Sequence, residues 1–180
     1  TFMKQVLADG NWNLNYPSTG KVHQKIKAKT IWDALCLSAW ECADPGIQFH
    51  DTINRFHMSK ASGEIRASNP CSEFMYLDNT ACNLASLNLV KFYLDRRFSL
   101  EKFNQQIDLV FKGQDAIVDF SSYPTQQIAE NSYRHRPIGL GFANLGTLLM
   151  LMGIPYDSDL GRAWAGMIAA NMMAQSYLTS

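Results

Sequence analysis

The sequence lacks an excess of charge of either sign and lacks long apolar runs. Its 16 basic and 16 acidic residues cancel to a formal net charge of zero, so nothing attracts a nucleic-acid polymer or an anionic membrane electrostatically. Glycine, asparagine or a charged residue interrupts every apolar run well before the roughly 18 residues that a membrane-spanning helix needs. We therefore expect neither a nucleic-acid polymer nor a membrane as a partner.

The sequence also lacks a signal-peptide pattern and closely spaced cysteines. It begins at Thr1 without an initiator methionine and stops within an apolar helical pattern, which predicts a piece of a longer chain. Cys36 and Cys42 lie about 240° apart around a helix, so we expect no metal site there and interpret both as small core residues. None of the four cysteines, which also include Cys71 and Cys82, has a closely spaced partner, and this indicates a reducing, cytoplasmic environment and not a disulfide framework.

Apolar periodicity predicts several helices and two short strands. Hydrophobic residues make up 47% of the chain, enough for a sizeable core. The stretch 81–94 fits a helix or a strand equally well, and 13–20 is rich in turn-forming residues, which indicates a loop. The helices are expected from Thr30 to about Ala43 and over 100–120, 125–131, 144–152 and 157–180, and the strands over 22–26 and 138–142.

The stretch Asn69-Pro70-Cys71-Ser72-Glu73 is the strongest candidate for chemistry. In an extended chain the first, third and fifth side chains share one face, which places a thiol between an amide and a carboxylate. Pro70 favours a loop or strand tip over a central strand. A carboxylate can move protons and an amide can hold a polar substrate group. Five residues form a weak motif, so an exposed loop with this sequence by chance remains an alternative.

Three longer runs resemble one enzyme family. They cover residues 43–54 (ADPGIQFHDTIN), 67–89 (ASNPCSEFMYLDNTACNLASLNL) and 134–146 (RHRPIGLGFANLG). Together they resemble the large catalytic chain of class II, adenosylcobalamin-dependent ribonucleotide reductase, in order and over nearly all of the sequence. The resemblance implies an α/β fold, part of a ten-stranded α/β barrel with a central finger loop. Residues 1–180 would then be a partial, helix-rich catalytic barrel domain whose N- and C-terminal parts are missing.

The same resemblance implies roles for the motif residues. Cys71 matches the cysteine whose thiyl radical removes the ribose 3′ hydrogen, and Glu73 matches the acid/base that handles the 3′-hydroxyl proton. Asn69 matches the amide that binds the ribose, while Pro70 and Ser72 belong to the substrate-binding loop. The implied reaction reduces ribonucleotides, diphosphates in the branch it resembles, to 2′-deoxyribonucleotides for DNA synthesis.

The resemblance further implies a redox cysteine, cofactors and partners. Cys82, 11 residues after Cys71, matches one member of the dithiol that supplies two electrons, and its disulfide partner is expected upstream of this segment. The implied cofactors are adenosylcobalamin, held mostly by residues outside the segment, and an external dithiol. The implied partners are a ribonucleotide, a thioredoxin-like or glutaredoxin-like reductant, and a nucleotide effector bound outside the segment. The segment alone is expected to be inactive.

Three alternatives remain open. A class I reductase large chain would more often carry a leucine and a glycine where Pro70 and Ser72 stand. A two-cysteine thiol oxidoreductase would use Cys71 and Cys82, although the sequence has no Cys-x-x-Cys and no electropositive surroundings to lower a thiol pKa. A non-catalytic interaction module would use the methionine-rich helix over 157–178.

Overall fold

The computed structural model describes residues 2–180, which divide after Ile53 into two compact units. In the first unit, helix α1 (Phe2–Leu7) precedes an antiparallel pair of strands, β1 (Asn11–Asn15) and β2 (Val22–Lys27). The predicted strand over 22–26 is therefore confirmed. The predicted loop over 13–20 is wrong for its first three residues, because they pair with β2.

Helix α2 (Ala28–Cys42) follows β2 directly. The prediction that it starts after Thr30 is wrong, because Lys27 occupies the N-cap and the buried Ala28 is already helical. The helix ends where Ala43 adopts a left-handed conformation. Cys36 and Cys42 are exposed, so their interpretation as core residues is wrong.

The exposure of the two cysteines follows from their positions on α2. Cys36 lies beside the half-buried face that Ile31 and Leu35 form, and Cys42 lies in the last turn, where Trp40 is also exposed. A short helix that the sequence did not indicate, α3 (His50–Phe56), spans the division between the units.

The second unit contains a parallel pair of strands, and its other strands are short. Strands β3 (Ala67–Ser68) and β4 (Met75–Tyr76) form a short hairpin. Strand β5 (Asn83–Asn88) pairs in parallel with β8 (Ile138–Ala143), and β6 (Tyr93–Leu94) pairs with β7 (Arg97–Phe98). The ambiguous stretch 81–94 is thus a strand followed by a 3-10 turn over Leu89–Phe92 and the short strand β6.

Four helices complete the second unit: α4 (Leu100–Phe120), α5 (Gln126–His135), α6 (Leu145–Leu151) and α7 (Asp159–Thr179). The hydroxyl groups of Ser99, Thr125 and Ser158 accept backbone N–H groups at the starts of α4, α5 and α7, as N-cap residues do. The predicted helices are confirmed, except that α5 continues four residues beyond 131.

The core of the second unit joins the parallel strand pair to helices α4, α6 and α7. Its aromatic centre is Phe103, fully buried, with the rings of Phe92 and Phe98 at centroid distances of 5.1 and 5.5 Å. The remaining buried members are Leu87, Leu89, Ile107, Leu148, Ile168 and Met172. Residues 2–180 thus form a mixed helix and strand structure in which every sheet has two strands and no barrel closes.

Candidate active site

The five-residue motif lies in the connection of a β-hairpin. Strands β3 and β4 pair Ser68 with Met75, so residues 69–74 form the loop between them. Within it, the backbone N–H of Ser72 donates to the carbonyl oxygen of Asn69 at 3.1 Å, and Ser72 has a φ of 65°. The prediction of a loop at a strand tip is correct. The prediction of an extended chain with alternating faces is wrong, because the backbone turns at Ser72.

The side chain of Asn69 closes the base of this loop. Its Oδ1 accepts the backbone N–H of Phe74 at 3.0 Å, and the backbone carbonyl oxygen of Asn69 accepts the Ser68 hydroxyl at 2.7 Å. Asn69 is half-buried, whereas Cys71 and Glu73 are exposed, as are Pro70 and Ser72. The loop therefore has a fixed amide at its base and a thiol and a carboxylate open to a ligand at its tip.

Tyr76 anchors the loop to the rest of the second unit. Its hydroxyl donates to Ser59 Oγ at 3.1 Å and lies 3.3 Å from His135 Nδ1. The ring of the buried His57 meets the Tyr76 ring edge-on at 5.8 Å. These contacts fix the strand that follows Glu73, so they limit where the carboxylate can move.

Cys82 immediately precedes β5 and is half-buried. Its Sγ donates to the carbonyl oxygen of Asn83 at 3.5 Å. Burial raises the pKa of the Cys82 thiol, and the negative charge of Glu73 raises it to a smaller extent. Both disfavour a thiolate. The structure therefore brings the Cys82 thiol within electrostatic reach of the Glu73 carboxylate. Cys82, like Cys71, is a free thiol.

Three residues that the sequence did not single out as site residues lie around Cys82 and its chain neighbours. The buried Gln114 on α4 donates through Nε2 to the carbonyl oxygens of Asn83 and Gly139, at 3.2 and 3.0 Å. The hydroxyl of Ser132, on α5, accepts the backbone N–H of Ala81 at 3.0 Å. At Gly139 a Cβ atom would lie only 3.2 Å from the Cys82 sulfur.

One signal for Gln114 was present in the sequence. It lies seven residues after Ile107 and four before Val118, within the apolar stripe of α4, where a polar side chain needs a buried partner. Gly139 also carried a signal, because a glycine inside a strand indicates a close approach, although not of which residue. For Ser132 no local signal exists, because its contact depends on how α5 packs against the chain around Cys82.

Arg136 joins α5 to α4 directly before β8. Its guanidinium donates to Asp115 Oδ1 at 2.6 Å and to Asp119 Oδ1 at 2.8 Å. The two carboxylates raise the pKa of Arg136, and the hydrogen bond from Arg136 lowers the pKa of Asp119. These ion pairs fix the point at which the chain enters the strand beside Cys82.

Residues 2–180 contain neither a cluster of metal-binding side chains nor a helix suited to a membrane. No group of three or more His, Cys, Asp or Glu side chains there is arranged to hold a metal ion. None of the helices in that range combines the length and apolar character that crossing a membrane requires.

Comparisons with known proteins agree with the resemblance inferred from the three runs. The family model for the ribonucleotide reductase barrel domain matches residues 1–180. The chain is 49% identical over 181 residues to a protein of Agrobacterium fabrum and 48% identical over 185 residues to one of Streptomyces avermitilis, each named vitamin B12-dependent ribonucleotide reductase. These alignments cover 99% and 100% of this chain.

A more distant relative is the vitamin B12-dependent ribonucleoside-diphosphate reductase of Mycobacterium tuberculosis, 37% identical over 158 residues, which are 88% of this chain. The chain spans only 14%, 19% and 23% of the lengths of these three relatives. Because the family model covers the full sequence, the chain belongs to the ribonucleotide reductase barrel domain family.

Proposed function

We propose that this chain is the radical-bearing part of a class II ribonucleotide reductase, which reduces ribonucleotides to 2′-deoxyribonucleotides for DNA synthesis. One observation supports this most strongly: the hairpin loop exposes Cys71 between Asn69 and Glu73, with the free thiol of Cys82 within electrostatic reach of Glu73. The names of the relatives support the reaction, and the diphosphate in the Mycobacterium tuberculosis name supports ribonucleoside diphosphates as substrates.

In this proposal the loop residues divide the work on the ribose. Cys71 Sγ, as a thiyl radical, takes the 3′ hydrogen atom and later returns it, because S–H and activated ribose C–H bonds are similar in strength. Glu73 accepts the 3′-hydroxyl proton, which helps the 2′-hydroxyl to leave as water. Asn69 donates to the ribose through Nδ2, since its Oδ1 is held by Phe74. Pro70 and Ser72 shape the substrate-contacting surface.

Cys82 then supplies electrons together with a second thiol outside this segment. Two thiols give up two electrons and two protons and become a disulfide, C2′ gains a hydrogen, and the 2′-hydroxyl leaves as water. An external dithiol, delivered by a thioredoxin-like or glutaredoxin-like protein, reduces the disulfide again. The raised pKa of Cys82 keeps the thiol protonated, so it retains the proton that the reduction consumes.

The exposed loop tip suits a thiol that must meet a large cofactor. We assign one atom of this chain, Cys71 Sγ, to that encounter, because it is exposed at the end of a hairpin whose base Asn69 and Tyr76 hold. Adenosylcobalamin, when bound, supplies the radical that removes the thiol hydrogen atom. We place the other cofactor contacts and the nucleotide effector site in the parts of the relatives that this chain does not cover.

We propose that residues 1–180 are part of one catalytic barrel domain, a ten-stranded α/β barrel with the Cys71 loop as its central finger. Strand β8 supports this, because among residues 2–180 it pairs with β5 alone and leaves one edge open. A groove of about 640 Å³ lies beside β8 and α7, lined largely by apolar side chains that include Leu140, Phe142 and Met173. A further strand of the barrel would cover this edge.

We place the enzyme in the cytoplasm, where a reductant keeps its thiols free.

The test is a reduction assay with the full-length protein that contains this segment. With adenosylcobalamin, a dithiol and a ribonucleoside diphosphate we expect the 2′-deoxyribonucleoside diphosphate, and with residues 1–180 alone we expect no product. Product formed without adenosylcobalamin would favour a class I reductase. No product from either diphosphates or triphosphates, together with a Cys71–Cys82 disulfide by thiol titration, would favour a thiol oxidoreductase.

A further inference from the structure

Gln114 makes an unusual set of contacts for a residue in the apolar stripe of α4. It is 3% exposed, and its Nε2 bridges the carbonyl oxygens of Asn83 on β5 and Gly139 on β8. The backbone carbonyl oxygen of Gln114 accepts a hydrogen bond from Asn83 Nδ2 at 3.0 Å. Gln114 and Asn83 therefore hold each other through two reciprocal hydrogen bonds at the end of the parallel pair nearest to Cys82.

The carbonyl oxygen of Asn83 has a second donor, the thiol of Cys82 at 3.5 Å. The acceptor of the Cys82 proton is thus the atom that Gln114 fixes. From this shared acceptor we infer that Gln114 is a positioning residue for Cys82, which holds the thiol hydrogen bond in place and so controls when the sulfur ionises and reacts. The inference deepens the proposed function, because it rests on the redox role proposed for Cys82.

The amide at this position has a cost as well as a benefit. The Oε1 atom of Gln114 and the Oδ1 atom of Asn83 are buried, and neither has a hydrogen-bond partner in the described part of the chain. A buried oxygen without a partner is unfavourable, and a leucine or methionine would continue the apolar stripe without that cost. The contact that an apolar residue could not provide is the bridge to the Asn83 and Gly139 carbonyl groups.

The consequence of losing Gln114 has a definite sign. A hydrogen bond from the neutral thiol to Asn83 stabilises the protonated form, so losing it lowers a thiol pKa. Water that enters beside the strands acts in the same direction, because it reduces the desolvation of the thiolate. The carboxylate of Glu73, the charged group that acts on Cys82, is unchanged by the substitution.

The experiment uses Gln114→Met in the full-length enzyme. Methionine keeps the length and volume of the side chain but has no donor. The readout is the pH dependence of iodoacetamide alkylation at Cys82, followed by mass spectrometry of its peptide. A lower pKa increases the thiolate fraction, so we expect alkylation at pH 7 to rise about threefold to tenfold. We also expect a lower kcat for multiple turnovers with an unchanged KM.

Gln105→Met is the matched control, because Gln105 lies on the exposed side of the same helix and contacts Glu101. It should leave the Cys82 profile unchanged. Where Gln114→Met does not fold, Gln114→Asn takes its place, since the shorter amide stays polar but cannot reach both carbonyl oxygens. A folded Gln114 variant whose Cys82 alkylation profile equals that of the wild type would overturn the inference.

The proposed redox role of Cys82 is tested separately in the same series. Cys82→Ser should abolish multiple turnovers. Full turnover by Cys82→Ser would contradict that redox role, while the alkylation profiles of the Gln114 variants would still decide whether Gln114 controls the thiol.

Discussion

Burial raises the pKa of the Cys82 thiol, and the negative charge of Glu73 raises it further. The hairpin loop and the start of β5 are thereby coupled. The charge of Glu73, the proposed acid/base, therefore affects the ionisation of Cys82, the proposed electron donor. Removing that charge should change the pKa of the Cys82 thiol.

Glu73→Gln should therefore lower the pKa of Cys82 in the full-length enzyme. The pKa should stay above that of an ordinary cysteine, because the burial of the sulfur remains. The measurement is the pH at which Cys82 alkylation reaches half its maximal rate. Glu101→Gln serves as the control, since Glu101 is not among the causes of the shift. An unchanged midpoint in Glu73→Gln would contradict the coupling.

Gly139→Ala should disturb Cys82, whereas Gly141→Ala on the same strand should not. A Cβ at Gly139 would clash with Leu84 Cδ2 and lie 3.2 Å from Cys82 Sγ, while at Gly141 the nearest atom, Ser86 Oγ, would be 3.6 Å away. Crowding of this kind lowers the free energy of unfolding by about 1–3 kcal/mol. For Gly141→Ala we expect a free energy of unfolding within about 0.5 kcal/mol of the wild type.

Urea unfolding of the full-length protein and alkylation of Cys82 measure the two effects. Leu84 is exposed and can rotate away, so the cost of Gly139→Ala should lie near the lower end of that range. Equal unfolding midpoints and equal Cys82 alkylation in both variants would show that the space beside the sulfur is not needed.

Asn69 should show two separable roles. Asn69→Asp keeps an oxygen that can accept the Phe74 N–H, whereas Asn69→Ala removes the acceptor that closes the loop. Since a hydrogen bond is worth about 0.5–1.5 kcal/mol, protease sensitivity of the loop should rise in the alanine variant by about threefold to tenfold. Both variants lose the Nδ2 donor, so both should reduce turnover. Full activity in Asn69→Asp would contradict the proposed contact with the ribose.

Asp119→Asn should lower stability at neutral pH and have less effect in acid. The hydrogen bond from Arg136 lowers the pKa of Asp119 below its ordinary value of 3.8. A lowered pKa stabilises the fold above about pH 3.8, and this contribution disappears as the pH falls through the lower, folded-state pKa.

The difference in Tm between wild type and Asp119→Asn should therefore be constant from about pH 5 to 8 and shrink below about pH 4. Asp33→Asn is the control, because Asp33 pairs with Lys29 in an exposed pair four residues apart on α2, and such pairs contribute little. A Tm difference that persists unchanged in acid would assign the effect to something other than the ion pair.

Local patterns predicted much of the second unit. Ser99 before the apolar stripe of α4 marks a helix start, and the run after Pro137 marks the strand β8, because caps and apolar runs act over a few residues. The loop at Pro70 was predicted for the same reason. The turn within Asn69–Glu73 was not predicted, because the pattern favoured an extended chain, whereas the turn depends on the left-handed backbone of Ser72 and on hydrogen bonds that no residue type dictates.

The surroundings of Cys82 could not be predicted from local patterns. Gly139 lies beside the sulfur, and Gln114 contacts the Asn83 carbonyl oxygen next to it, from elements 57 and 32 positions further along the chain. The pairing of β5 with β8 brings Gly139 there, and the packing of α4 against these strands brings Gln114 there. The exposure of Cys36 and Cys42 was mispredicted for a related reason, because a small apolar residue is buried only where another element packs against it.

The most direct test of the account replaces Cys71 in the full-length enzyme. Cys71→Ala should abolish reduction of a ribonucleoside diphosphate, including a single turnover with pre-reduced enzyme, because no other side chain of the loop can carry the hydrogen atom. Cys36→Ala, which removes another exposed free thiol, should leave turnover unchanged. Substantial deoxyribonucleotide formation by Cys71→Ala would contradict the proposed radical role and with it the proposed function of the loop.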